Sequence, residues 1–133
     1  MDLKLSHTFI QVEDQDEALA FYRDALGLEL RADQPFDGFR WLAVGPPGQP
    51  DVEIVLEAVG MGRAPQDRDT LRGLLAKGSL GGVIFTTPDL DGTFEKIRAS
   101  GAEVMQEPID QPYGVRDCAF RDPSGNHIRF SSR

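Results

Sequence analysis

The sequence predicts an α+β protein made of two tandem βαβββ modules, and three observations carry that prediction. Residues 14–30 (DQDEALAFYRDALGLEL) and residues 89–104 (DLDGTFEKIRASGAEV) are two versions of one capped helix running into a strand. Each is preceded by a β-like run, residues 5–12 (LSHTFIQV) and 80–87 (LGGVIFTT), and followed by further extended segments. The spacing is nearly constant, since Asp89 lies 75 residues after Asp14 and Gly101 lies 74 after Gly27. The expected division is module one at 1–58, a connecting segment at 59–79 and module two at 80–133. The two modules form a single domain, because neither half holds a complete core of its own.

Taken in order, the first run alternates, with His7, Phe9 and Gln11 on one face and Thr8, Ile10 and Val12 on the other. In the first helix Asp14 is an N-cap and Glu17 completes a capping-box pattern. Ala18, Leu19, Tyr22, Ala25 and Leu26 then recur at helical spacing until Gly27 supplies the C′ position. Residues 28–31 read as a second strand, Asp37-Gly38 as a hairpin turn and residues 39–44 (FRWLAV) as a third strand. The prolines of GPPGQP at 45–50 cannot join a central ladder, which makes that segment a loop. Residues 52–57 form the fourth strand, with Val52, Ile54 and Leu56 on one face and Glu53, Val55 and Glu57 on the other. In the connecting segment, Gly60, Gly62 and Pro65 give a flexible start, and Leu71, Leu74 and Leu75 predict a short helix. In the second module Asp89 caps a helix whose stripe is Leu90, Phe94 and Ile97. A strand at 102–106, a loop at 108–114 (PIDQPYG), a strand at 115–121, a DPSG turn at 122–125 and a last strand at 126–131 follow.

Composition narrows the function. A formal charge of −8 and a pI near 4.6 argue against nucleic-acid or anionic-membrane partners, because nothing would neutralise phosphates. The single cysteine, Cys118, excludes an intrachain disulfide framework. The start MDLKLSHTF has no signal-peptide character, and no apolar run reaches the ~20 residues of a membrane helix. A reduced, cytoplasmic location is the expectation.

The βαβββ duplication, the string AFYRDALGLEL and the ending PYGVRDCAFRDPSGNHIRF together resemble the vicinal oxygen chelate superfamily, which includes glyoxalase I, bleomycin resistance proteins and extradiol dioxygenases. The resemblance spans nearly the whole chain. It implies a curved mixed sheet forming a cup with the helices outside, a homodimer that often completes the site, and in many members one divalent metal at the floor. Zinc, nickel, manganese and iron are the candidate ions. The resemblance places the ligands on the first and last strands of each module, at His7, Val55, Gly82 and Arg129 here. Only His7 of these four has a metal-binding side chain, and a cation at Arg129 opposes a divalent ion. Glu57, or Glu53, offers a rescue through a shift of register, which leaves His7 and Glu57 as the metal candidates. A set of His7, Glu57 and His127 would have the composition of a two-His-one-carboxylate iron site.

Three readings of the cup follow. In the first, the protein binds a small planar, aromatic or cationic molecule without metal. Phe9, Phe39 and Trp41 supply contact area, while His7, Glu53, Glu57 and Arg129 orient polar groups, and Tyr113 and Arg116 flank Gly114 in a hairpin at the rim. In the second, it is a metal-dependent lyase, isomerase or dioxygenase in which Glu57 or Glu53 moves a proton. In the third, it is a dimeric scaffold with a vestigial cup. Cys118 alternates with Arg116 and Phe120 and reads as a small strand residue, not a nucleophile.

Overall fold

The computed structural model describes residues 1–132, and Arg133, the last residue of the expected second module, lies outside them. Module one contains β1 (His7–Val12), α1 (Gln15–Leu19) with a π-helical continuation (Ala20–Ala25), β2 (Glu29–Phe36), β3 (Phe39–Gly45) and β4 (Glu53–Ala58). Helix α2 (Pro65–Ala76) connects it to β5 (Val83–Thr86), α3 (Leu90–Ala99), β6 (Glu103–Asp110), β7 (Arg116–Arg121) and β8 (His127–Ser131). The strands form two open four-stranded sheets of identical order, β1-β4-β3-β2 and β5-β8-β7-β6. In each, the first pair is parallel and the others antiparallel. This is the duplicated α+β architecture that the helix-and-strand repeat predicts.

Local chemistry explains where the elements begin and end. Asp14 accepts the Glu17 N–H at 3.0 Å and Asp89 accepts the Gly92 N–H at 3.0 Å, so both predicted N-caps are made. The first helix departs from the regular α-helix its periodicity predicts. It widens, and the Leu26 N–H reaches five residues back to the Phe21 carbonyl. The neighbours Phe21 and Tyr22 are then both buried, rings edge-on at 4.9 Å, and the Tyr22 hydroxyl donates to Asp122 of module two at 2.7 Å.

Strands β2 and β6 also run further than predicted, through Pro35 and Pro108, and the expected loop at 108–114 is correspondingly shorter. Both are outer strands of their sheets, where proline's missing N–H need not interrupt the ladder. Helix α2 spans twelve residues, longer than the leucine spacing suggested, because Pro65 starts it a turn earlier.

One core joins the modules. Ile10, Val12, Leu42, Val44, Ile54 and Leu56 from the first sheet cluster with Cys118, Phe120, Ile128 and Phe130 from the second, and with residues of α1, its continuation and α3. Fully burying one such aliphatic or aromatic side chain stabilises the fold by about 1.5–3 kcal/mol. Alternation along each strand then leaves the other face of each sheet, here called its open face, turned away from this core. No helix among the described residues is long and apolar enough to cross a membrane.

Candidate ligand-binding site

The first open face is assembled by strand register. β1 pairs with β4 so that His7 stands beside Glu53, Phe9 beside Val55 and Gln11 beside Glu57. His7 Nε2 lies 3.7 Å from Glu53 Oε1, and His7 Nδ1 lies 2.9 Å from Ser6 Oγ. Trp41 occupies the centre, with ring centroids 6.3 Å from His7, 6.1 Å from Phe9 and 6.0 Å from Phe36, the two phenylalanines presenting edges. Phe9 and Phe36 remain 50% and 62% exposed, which leaves aromatic surface free for contact. Phe39 lies on the same face, 39% exposed.

Phe36 is missing from the sequence-derived set. A signal for it exists, because Asp37 and Gly38 both have positive φ (51° and 80°) and pair Phe36 directly with Phe39 across the hairpin. Glu57 departs from its expected setting. It is buried, accepts a close hydrogen bond from Gln11 Nε2, and lies 3.6 Å from Arg63. His7 and Glu57 are four positions apart along the ladder, roughly 13 Å at the rise of a strand. The structure therefore does not bring His7 and Glu57 together.

The second open face has a different chemistry. Asp117, whose side chain is 2% exposed, accepts from Gln106 Nε2 at 2.7 Å, Gln111 Nε2 at 2.9 Å and the Tyr113 hydroxyl at 3.2 Å. Arg129 Nη1 completes the group, 3.3 Å from Asp117 Oδ2 and donating to Gln106 Oε1 at 3.0 Å. Burial alone would raise the Asp117 carboxyl, but the Gln111 and Gln106 amides, with Arg129 and Tyr113, hold it below the ordinary carboxylate range. Arg129, expected among the groups that orient a ligand, has Asp117 as its carboxylate partner. Asp117 adjoins the core residue Cys118 on β7 and therefore faces away from the core.

Arg116 is not part of either open face. It alternates with the core residue Cys118 and pairs with Asp91 of α3 at 3.0 Å and with Asp110 at 3.3 Å. Cys118 is buried, and burial with the adjacent Asp117 pushes its thiol up to about 11, so it is no nucleophile at neutral pH.

A divalent metal does not fit these side chains. Among the described residues no three His, Cys, Asp or Glu groups converge. The four strand positions at which the family resemblance expects ligands carry His7, Val55, Gly82 and Arg129, and register places Phe9 opposite Val55 and Ile84 opposite Arg129. Gly82 is also locked, because a Cβ there would lie 1.8 Å from the His127 carbonyl oxygen.

The profile of the Glyoxalase/Bleomycin resistance protein/Dioxygenase superfamily matches residues 4–130. The chain belongs to this superfamily. Among solved structures of similar chains, that of UcmS2 shares 38% identity over the full length of both chains at a TM-score of 0.92. TnmS3, described as an antibiotic binding protein from Streptomyces sp. CB03234, shares 32% identity, with 97% of this chain and 94% of that one covered, at a TM-score of 0.77. A probable lactoylglutathione lyase from Synechocystis sp. is 32% identical over 95% of this chain and 92% of its own length. This glyoxalase-superfamily fold thus has relatives described both as binders and as enzymes, and its chemistry must be argued from its side chains.

Proposed function

We propose that this protein binds a small planar or aromatic molecule without a metal ion, on the first open face and as a homodimer. The observation that carries the proposal is Trp41 ringed by His7, Phe9 and Phe36, with Glu53 beside His7 to orient a polar or cationic group. Rigid aromatic surface gives large contact area at low entropic cost. TnmS3, an antibiotic binding protein of the same superfamily, supports a binding role.

Beyond the residues assigned to ligand contact, Ile109 and Tyr113 stand exposed (45% and 71%), apolar surface that a second copy would cover, and this supports the dimer. Sedimentation should then give twice the 14.7 kDa mass of the chain.

Trp41 is the only tryptophan, so its emission reports this face alone. Titration with the planar cation proflavine is expected to quench it saturably. Phe9→Ala should weaken binding by about tenfold, the loss of roughly 1.4 kcal/mol of ring contact. Linear, non-saturating quenching that Phe9→Ala leaves unchanged would refute the proposal.

A further inference from the structure

The second open face contains a cavity of about 440 Å³ lined by Gly82, Ile84, Met105, Gln106, Ala119 and Arg129, among others. Nothing in the aromatic reading of the first face uses it. We propose that this cavity is an anion-binding site, in which Arg129 receives the ionised acid group of a small organic molecule whose apolar body lies over Ile84 and Met105.

The guanidinium is half-committed. Nη1 supplies both protein contacts, to Gln106 Oε1 and Asp117 Oδ2, and among the described residues Nε and Nη2 donate to nothing. Neither nitrogen is a buried orphan; the arginine side chain is 39% exposed and lines the cavity. The Nε–Nη2 edge is one of the two forks with which arginine grips a carboxylate through parallel hydrogen bonds.

Its counter-charge does not cancel it at that edge. Asp117 is buried and already accepts from Gln106, Gln111 and Tyr113, and its closest approach to Arg129 is at Nη1, 3.3 Å away. The network fixes the guanidinium in place and so removes the entropic cost of ordering it when a ligand arrives. Ile84 and Met105, 67% and 38% exposed, give an apolar surface next to that charge. A ligand with an acid group on a flat or branched apolar body matches both features.

The test compares 1-naphthoate with 1-naphthalenemethanol, which share a ring system and differ in charge, by calorimetry at low salt on the full chain. The acid is expected to bind at least about tenfold more tightly than the alcohol, as a charge-assisted pair requires. Arg129→Gln should abolish that preference and Arg129→Lys retain part of it, with circular dichroism and the urea midpoint reporting whether each variant is folded. If Arg129→Gln does not fold, the Arg129 Nε–H resonance of the unaltered protein decides. It should shift on adding naphthoate and stay fixed on adding the alcohol. Equal binding of the two probes, absent binding of naphthoate, or an unmoved Arg129 resonance would overturn the proposal. Trp41 emission, read in the same titrations, reports the first face separately, so failure of one site is distinguishable from failure of the other.

Discussion

The two open faces descend from one repeat, and equivalent positions in them have taken opposite physical characters. Phe9 beside Val55 on the first corresponds to Ile84 beside Arg129 on the second, and the edge-facing Trp41 cluster is matched by the saturated Asp117 network. The first face is aromatic, half-exposed and joined by loose contacts. The second is charged, hydrogen-bonded through its floor, and held in one geometry. A sheet tolerates this divergence because its open face answers only to ligand and solvent, while the core face must keep filling the shared interior.

The contrast can be attacked where it is strongest. Asp117→Ala would leave Arg129, Gln106, Gln111 and Tyr113 facing an empty position, and is expected to cost about 3 kcal/mol. Glu53→Ala, which removes a carboxylate from a partly exposed pair on the first face, should cost less than about 1 kcal/mol. Urea denaturation of the two variants measures the difference, and equal losses would erase the distinction between a fixed face and a loose one.

A smaller effect is expected at the equivalent pair His7 and Gly82. Gly82→Ala forces a Cβ against the His127 carbonyl and should destabilise by about 1–3 kcal/mol, whereas His7→Ala, on an exposed side chain, should stay within about 0.5 kcal/mol. Thermal midpoints would show it, and an unaltered Gly82→Ala would mean that β5 yields easily there.

The subtlest test is acidification. Asp117 has a depressed carboxyl, so its stabilisation is complete above about 3.9, the unfolded value, and is lost as pH falls through the lower folded value. Asp117→Asn should therefore lower stability near neutrality and flatten the acid limb of the stability profile. Glu53→Gln serves as the comparison from the first face. A parallel acid limb in Asp117→Asn would show that other carboxylates dominate.

Much of the first face was legible in the chain. Alternation put His7 and Phe9 on one side of β1, Trp41 and Phe39 on one side of β3, and Glu53 and Val55 on one side of β4, and the parallel β1–β4 and antiparallel β3–β4 pairings bring these faces together. Phe36 escaped because Pro35 argued for a break where an outer strand simply continues. The second face was less legible. Asp117, Gln106 and Gln111 are scattered over two strands and a loop, and nothing local announces that three donors converge on one acid. Arg116 was misleading for the opposite reason. Its position beside a glycine hairpin suggested a rim, but parity along β7 turns it toward α3 and Asp91.

Apart from the three positions at which the family resemblance expects metal ligands and the chain carries Val55, Gly82 and Arg129, the sequence by itself determined the duplication, both helix caps and the alternation that divides each strand into a core face and an open face. These follow from spacing and residue type, which local geometry converts directly into direction. Only the tertiary structure decided that the first helix widens so that Tyr22 reaches Asp122, that Glu57 is buried against Gln11 far from His7, and that Arg129 is held by Asp117 with one edge left open. Each of these depends on contacts between segments distant in the chain, where packing and hydrogen-bond satisfaction choose among orientations that the local sequence leaves equally available.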